Sequence, residues 1–499
     1  MATPAVEART TETERPPSLR VAAARGTIVN AVFMVGLHSL GLVKSFAIAA
    51  FLTRGEYGVW GILIIVLGTL TWLKQVAIGD RYVQDEQPDE ELAFQRAFTI
   101  DLLANAVLLA AGAAALPLLA LAYGHGEIVV PGLVLAAALA AQSLKAPAWI
   151  FYRRMSYGRQ RALEAVDPVV AFAVTIGLAA AGVGYWSLVI GFAAGVLAAG
   201  AVAIAVSPYR LRWRLDRATV RDYLDFSWPV MAAGAAGLLI PQVSMLVGTW
   251  ELGLAGAGAI ALAGTVSTYV DKVDELVTWT LYPAICRVRD RTELLREAFV
   301  KSNRLALMWG VPFGAGVALF APDVVEIGIG DEWRPAVGLI QVFGLIAAAH
   351  HVGFNWAAFF TARGDTRPLA AVGALALAVF LAAAVPLTVA YGLDGFAAGM
   401  AIVAAASLAA RGRYLARLFP GFRLAGLALR AIAPTVPAAG AVLLVRLAVG
   451  DRPVGLVAGE LALYAAVTAA ATVALERPLL REALSYLRGR ERPLAGTAA

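Results

Sequence analysis

Polar chemistry is scarce in this 499-residue chain: 15% of residues are charged, one is cysteine, four are histidine and five are lysine, against 60% hydrophobic. The single thiol, Cys286, excludes an internal disulfide and reads as a small buried side chain near a helix end. No glycine-rich loop followed by Lys and Ser or Thr is present, which argues against transport driven by its own ATP hydrolysis. His350 and His351 are adjacent and so point to different helix faces, and His38 stands alone. A shared metal is therefore not expected, and buried, hydrogen-bonded roles are. The acidic run "DEQPDEE" (85–91) reads as a solvated loop. No catalytic residue, metal centre or cofactor is expected.

Long apolar runs fill the space that charge leaves. Mean hydropathy is +0.73, and runs of about 20 residues, each enough to cross a bilayer as a helix, recur almost end to end. Fourteen are read, near 26–52, 57–79, 97–122, 128–152, 167–183, 185–207, 226–249, 254–284, 305–321, 336–362, 368–390, 393–411, 426–449 and 454–475. The expected fold class is an all-α polytopic membrane protein of about fourteen transmembrane helices, in two pseudo-symmetric six-helix lobes plus two C-terminal helices. Residues 1–25 are polar, contain proline and lack an apolar core before a cleavage site, so they read as a disordered tail and not a signal peptide. With that tail inside, 33 of the 41 Lys and Arg fall in inner segments and four outside, the bias of cytoplasmic loops. Both termini are then cytoplasmic, and the net charge of +6 reflects topology and contact with anionic lipids, not nucleic acid.

The basic connection around residues 207–229 is the seam between the halves. The expected organisation is tail 1–25, N-lobe 26–207, linker 208–225, C-lobe 226–419, helices thirteen and fourteen within 420–475, and a cytoplasmic tail 476–499. Laying 55–75 over 253–273, an offset of 198, superposes Gly55 on Gly253, Gly58 on Gly256 and Lys74 on Lys272, a parallel repeat.

"STYVDKVDELVTWTLYP" (267–283) places Asp271, Lys272, Asp274 and Glu275 within an apolar span. A charge at mid-bilayer costs at least about 2.5–3.5 kcal/mol, so such groups face a bundle interior or a water-filled cavity. At helical spacing Thr268, Asp271, Lys272, Glu275 and Trp279 form one stripe with Asp274 at its edge. Thr71, Lys74 and Gln75 do the same in the second span, and Gln142, Lys145 and Trp149 in the fourth. Asn30 and Lys44 lie within about 40° of each other on the first. Lys44, about 13 Å deep at 1.5 Å per residue, is too far in to snorkel, whereas Lys74 and Lys145 are close enough to inner ends for their stems to reach headgroups. Two readings of the eighth-span cluster stay open. One is a structural ion-pair network, such as Lys272 with Asp271 or Glu275. The other is a coupling site: like charges a turn apart are not all ionised at once, and one exchanges a proton or a sodium ion.

Three stretches resemble a known family. "FLTRGEYGVWGIL" (51–63) is similar to the turn after the first helix of polysaccharide flippases, relatives of MATE drug exporters and lipid II flippases. "YRRMSYGRQRALE" (152–164) resembles their basic loop after the fourth helix, and residues 281–345 resemble the stretch that carries most of the likeness, which runs over roughly residues 26–425. The proline usual in the first turn is Arg54 here, and Lys44 falls where the lipid II branch places a first-helix arginine. The resemblance implies fourteen helices in two bundles forming a V, which move undecaprenyl-diphosphate-linked sugars by alternating access.

On this reading the chain is an inner-membrane flippase for a polyprenyl-diphosphate-linked oligosaccharide, carrying it from inner to outer leaflet for cell-surface polysaccharide synthesis. Lys44, Lys272, Lys74 and Lys145 would attract the diphosphate, because an ammonium is a point charge that can follow a compact anion as a cavity changes shape. Asp271, Asp274 and Glu275 are the candidates for the coupling ion, supported by Asn30, Thr71, Gln75, Gln142, Trp149, Thr268 and Trp279. Tryptophans such as Trp60, Trp72 and Trp356 could stack on sugar or belong to the interfacial belt. Partners are the glycan, membrane lipids and, as candidates, the pathway's polymerase and glycosyltransferases. Two alternatives remain: a MATE-like, cation-coupled exporter of small organic molecules, whose site would need net carboxylates, and a membrane-embedded glycan enzyme, whose large outer loop is missing.

The topology is checked by thiol labelling of sealed cells. Glu127→Cys and Asp451→Cys should react with an impermeant reagent, and Arg159→Cys, Arg214→Cys and Arg413→Cys should not. Labelling at any of the last three overturns the assignment.

Overall fold

A computed structural model of the chain describes residues 39–73, 78–84, 87–154, 156–216, 219–221, 239–365, 367–421, 424–449 and 453–487, with Phe33, Gly36 and Leu37. No strand occurs among them. Apolar surroundings offer the backbone no other hydrogen-bond partners, so each segment satisfies its own N–H and C=O groups as a helix. In chain order the helices are α1 (Ser39–Ala49), α2 (Arg54–Leu73), α3 (Ile78–Gln84), α4 (Glu90–Tyr123), α5 (Val129–Ala141), α6 (Pro147–Arg153), α7 (Tyr157–Ala180) and α8 (Trp186–Ala205). They continue as α9 (Leu239–Arg287), α10 (Thr292–Asp323), α11 (Val337–His350), α12 (Trp356–Ala362), α13 (Arg367–Val379), α14 (Val385–Leu418), α15 (Leu424–Ile432), α16 (Thr435–Ala448) and α17 (Val454–Leu487).

Among the described residues nine helical segments are long and apolar enough to cross a membrane. Two of them double back. Gly253 (φ 66°) and Gly392 (φ 64°) take the left-handed conformation that glycine adopts without strain. Gly248 consequently packs on Ile260, and Gly399 on Ala384; straight helices would hold those pairs about 18 and 22 Å apart at 1.5 Å per residue. These reversals fall between the expected seventh and eighth spans and between the eleventh and twelfth. Other expected bounds are corrected. The fifth helix begins at Tyr157 and the ninth at Thr292, each at least ten residues before the apolar run that signalled it. The expected fourth span is broken by a 3₁₀ turn, Gln142–Lys145, and the tenth is split between α11 and α12.

The apolar core is asymmetric from one face to the other. A single cluster joins Ile48, Tyr57 and Ile62 of the first helices with Leu116, Leu139, Val189, Leu262, Trp333, Phe343 and Phe380. At the opposite ends the cores are separate: Ile78, Phe94, Phe98 and Ile150 form one, and Phe299, Phe359, Leu415 and Phe419 another. The two sets of helices thus share a core on the face that carries residues 49–57 and 331–336, and part on the other.

The shared face is closed by α2 against the second limb of α9. The crossing is reciprocal: Gly58 abuts the Leu254 carbonyl, Gly258 abuts the Arg54 carbonyl, and a methyl at Gly61 would stand 2.7 Å from Ala261 Cβ. Small residues permit such backbone approach in membrane helices. The pairs are related by an offset of 200, two residues on from the 198 alignment expected above, so Lys74 corresponds to Asp274 and the lysine match lapses. At the C-terminal end, Arg446 of α16 bonds Asp323 of α10 (2.7 Å) and Glu460 of α17 (3.0 Å), while Tyr464 donates to the Pro312 carbonyl (2.8 Å) and Arg304 pairs with Glu476. These contacts fasten α16 and α17 along α10.

Gly58→Ala should therefore destabilise the protein: overpacking at a tight site costs about 1–3 kcal/mol, more than the helix propensity gained. Gly55→Ala, with no atom within 4 Å of the new methyl, is the matched control. Thermal unfolding in detergent should show a Tm lowered by several degrees for the first and not the second.

Candidate functional site

The larger cavity, about 870 Å³, lies between α1, α2, both limbs of α9, α11, α13 and α14. Its basic lining residues are Lys44, His350 and Arg411, and among the described residues that line it there is no carboxylate. Lys44 has no hydrogen-bond or ion-pair partner among the described residues. The Arg411 guanidinium sits 6.0 Å above the Trp356 ring, at cation–π distance. Hydroxyl and amide groups from Ser45, Gln242, Ser267, Thr268, Tyr269 and Ser407 complete the polar wall, and Tyr57 and Trp60 add aromatic surface. Tyr269 is fixed by a hydrogen bond to Ser39 (3.0 Å) and by packing on Phe313. His351, next in sequence to His350, is fully buried, bonds the Ala347 carbonyl at 2.9 Å and meets Trp309 edge-on.

A smaller cavity of about 390 Å³ is lined by Asp101, Gln142, Lys145, Trp149 and Glu164, with Gly79 against the Trp149 indole. Lys145 is bound to Asp167 of α7 at 2.7 Å. Asp101 is buried and accepts from Ser143 Oγ (2.6 Å) and Asn105 Nδ2 (2.9 Å).

On the shared face the 3₁₀ turn Asp331–Ala336 lies beside the cavity-lining Tyr57, in the position of a seal. Trp333, buried, donates from Nε1 to the Ala49 carbonyl (2.8 Å) and lies edge-on to Tyr57 at 5.3 Å. Glu332 accepts from the Arg54 amide at 3.0 Å, and Glu56 closes a capping box with Thr53.

Of the residues singled out from sequence, Lys44 and Thr268 line the larger cavity, and Gln142, Lys145 and Trp149 the smaller. Thr71 is exposed near the end of α2. Asn30, Lys74 and Gln75 lie outside the described residues, as do the side chains of Asp271, Lys272, Asp274, Glu275 and Trp279 on α9. Arg411, the last residue of the expected twelfth span, is a wall residue of the larger cavity. Asp101, Asn105, Ser143 and Asp167 were not singled out; their signal was an acid within or at the edge of an apolar run.

The chain matches the family profile "Polysaccharide biosynthesis protein" over residues 47–338, more than half its length. It is 26% identical over 146 residues to the lipopolysaccharide biosynthesis protein WzxC of Escherichia coli (strain K12), covering 29% of this chain and 30% of that one. With the succinoglycan biosynthesis transport protein ExoT of Rhizobium meliloti (strain 1021) it shares 24% over 197 residues, 39% of this chain and 40% of the other. The chain thus spans well under half the length of these relatives. In fold it is similar to the lipid II flippase MurJ in an inward closed conformation (TM-score 0.66, 11% identity, 91% of this chain and 100% of that one). It is also similar to an inward-facing multidrug resistance MATE family transporter (TM-score 0.61, 15% identity, 80% and 98%).

The Trp333 seal is open to test. Trp333→Phe keeps the ring but leaves the buried Ala49 carbonyl without its donor, a loss of about 1–3 kcal/mol. In a Cys286→Ser background, Ser267→Cys should then be modified faster by an impermeant thiol reagent applied to the face of residues 331–336. An unchanged rate removes Trp333 as the seal.

Proposed function

The chain belongs to the polysaccharide biosynthesis protein family, and from that premise we propose that it is a flippase carrying a polyprenyl-diphosphate-linked oligosaccharide from the inner to the outer leaflet of the cell membrane. The observation that supports this best is the 870 Å³ cavity with Lys44, His350 and Arg411 in its wall and no carboxylate among its described lining residues. A diphosphate brings at least two negative charges on a compact group. Cations contributed by different helices can meet it from both sides, Lys44 as a point charge and Arg411 as a fork. Hydroxyls and the aromatic faces of Tyr57 and Trp60 suit a glycan, and the lipid tail remains in the bilayer. An exporter of organic cations would need the opposite lining.

Alternating access supplies the movement. The helices before the 208–225 linker and those of 226–419 serve as two lobes that rock about the glycine crossing, with both termini cytoplasmic and the parted face toward the cytoplasm. Lys272 and Lys74 extend the cationic wall, and Asp271, Asp274 or Glu275 hold a coupling cation. The protein acts without catalysis of its own, receiving its substrate from glycosyltransferases and passing it to a polymerase.

Lys44→Gln should reduce surface polysaccharide about 10- to 100-fold with the protein still in the membrane, the cost of one charge-assisted contact. Lys44→Arg should restore part of it, since the charge returns with different geometry. Arg411→Gln and Lys272→Gln should behave like Lys44→Gln. Normal export by all three Gln variants rules out a diphosphate bound in this cavity.

A further inference from the structure

The smaller cavity holds an unusual carboxylate. Asp101 is 4% exposed on α4, a helix apolar enough to cross a membrane, and has no cationic partner among the described residues. The nearest candidate, Lys145, is bound to Asp167. Both hydrogen bonds to Asp101, from Ser143 and Asn105, arrive at Oδ2, so among the described residues Oδ1 takes none, and the residue lines the cavity. Independently, Asn105, 1% exposed, has its Oδ1 buried without a hydrogen-bond partner among the described residues. A carboxylate without a cationic partner and a buried amide oxygen without a donor each carry a desolvation cost that a bound cation would offset. Ser143 is presented by the 3₁₀ break Gln142–Lys145, and discontinuous helices at membrane depth characteristically line ion and substrate sites.

We propose that Asp101, Asn105 and Ser143 form a site for a monovalent metal cation, a sodium ion that neutralises Asp101. Among the described residues the charged groups around it are Lys145 and Glu164 in the cavity wall, Asp167 bound to Lys145, and Arg161 bound to Glu164; the part of α8 that lines the cavity is Ala199 and Ala203. Lys145 and Glu164 thus each have an opposite charge of their own, and Asp101 has none among the described residues. Lys145 has Asp167 on one side and the cavity of Asp101 on the other. Neutralising Asp101 keeps Lys145 with Asp167, and removing the cation draws Lys145 toward Asp101. The role in transport rests on the flippase reading; the cation site itself does not.

The test uses purified full-length protein in detergent. Thermal unfolding is followed at fixed pH and ionic strength with sodium chloride exchanged for N-methylglucamine chloride. Sodium should raise the Tm of the parent by several degrees. Asp101→Asn should lose that rise and, with no buried charge to neutralise, should unfold above the parent in sodium-free buffer. Ser143→Ala, which keeps the charge, should move the sodium midpoint at least fivefold higher. A parent whose Tm does not respond to sodium overturns the site. An Asp101→Asn protein that keeps the parent's sodium response, or unfolds below the parent in every buffer, also overturns it. These readouts contain no glycan, so a failure of the flippase reading leaves them interpretable.

Discussion

The arrangement depends on how closely two backbones approach at one crossing. Gly58 and Gly258 each lie against a carbonyl of the other helix, a contact that any side chain at either position would prevent. In a bilayer the hydrophobic effect does little to press helices together, because lipid tails are as apolar as leucine, so packing and weak Cα–H···O contacts must do it. The crossing draws α2 onto α9 and gathers the continuous core around Tyr57, Leu262 and Trp333 on that face. At the opposite ends the cores of Phe94 and Phe299 belong to separate clusters among the described residues.

Charge is distributed by the same logic. Arg446 bonds both Asp323 and Glu460, and Lys145 bonds Asp167, so each cation holds helices together. Breaking such a buried set by removing one partner costs far more than the set contributes intact. Lys44 differs because it lines the larger cavity with no hydrogen-bond or ion-pair partner among the described residues.

The all-helical, multi-pass character was legible from hydropathy alone, because the cost of an unsatisfied backbone in hydrocarbon leaves few alternatives. The turns at Gly253 and Gly392 were legible too, as short gaps between apolar runs. Helix starts such as Tyr157 and Thr292 were missed, since an amphipathic extension beyond the membrane lacks the apolar signal. Lys44 and Thr268 could be assigned to a cavity because a polar residue deep in a span must face one. Arg411 could not: near a span end, an arginine in a basic loop and one turned inward look alike, and only the packing of α14 against α11 separates them. Asp101 and Asp167 were obscured for the same reason, standing near the expected starts of their spans while the helices begin about ten residues earlier.

The placement of the cations bears on how a ligand could drive the cycle. Lys44 is on α1 and Arg411 on α14, in walls that share a core at one face and part at the other. Any rocking about the glycine crossing changes the distance between them. A compact anion held by both is bound more tightly in the arrangement that brings them together, and a ligand shifts a conformational equilibrium only by such a difference in affinity. A long neutral molecule in the same cavity would touch both walls without favouring either arrangement. The multiply charged end of a substrate, rather than its bulk, is therefore the part that can bias the protein from one state to the other.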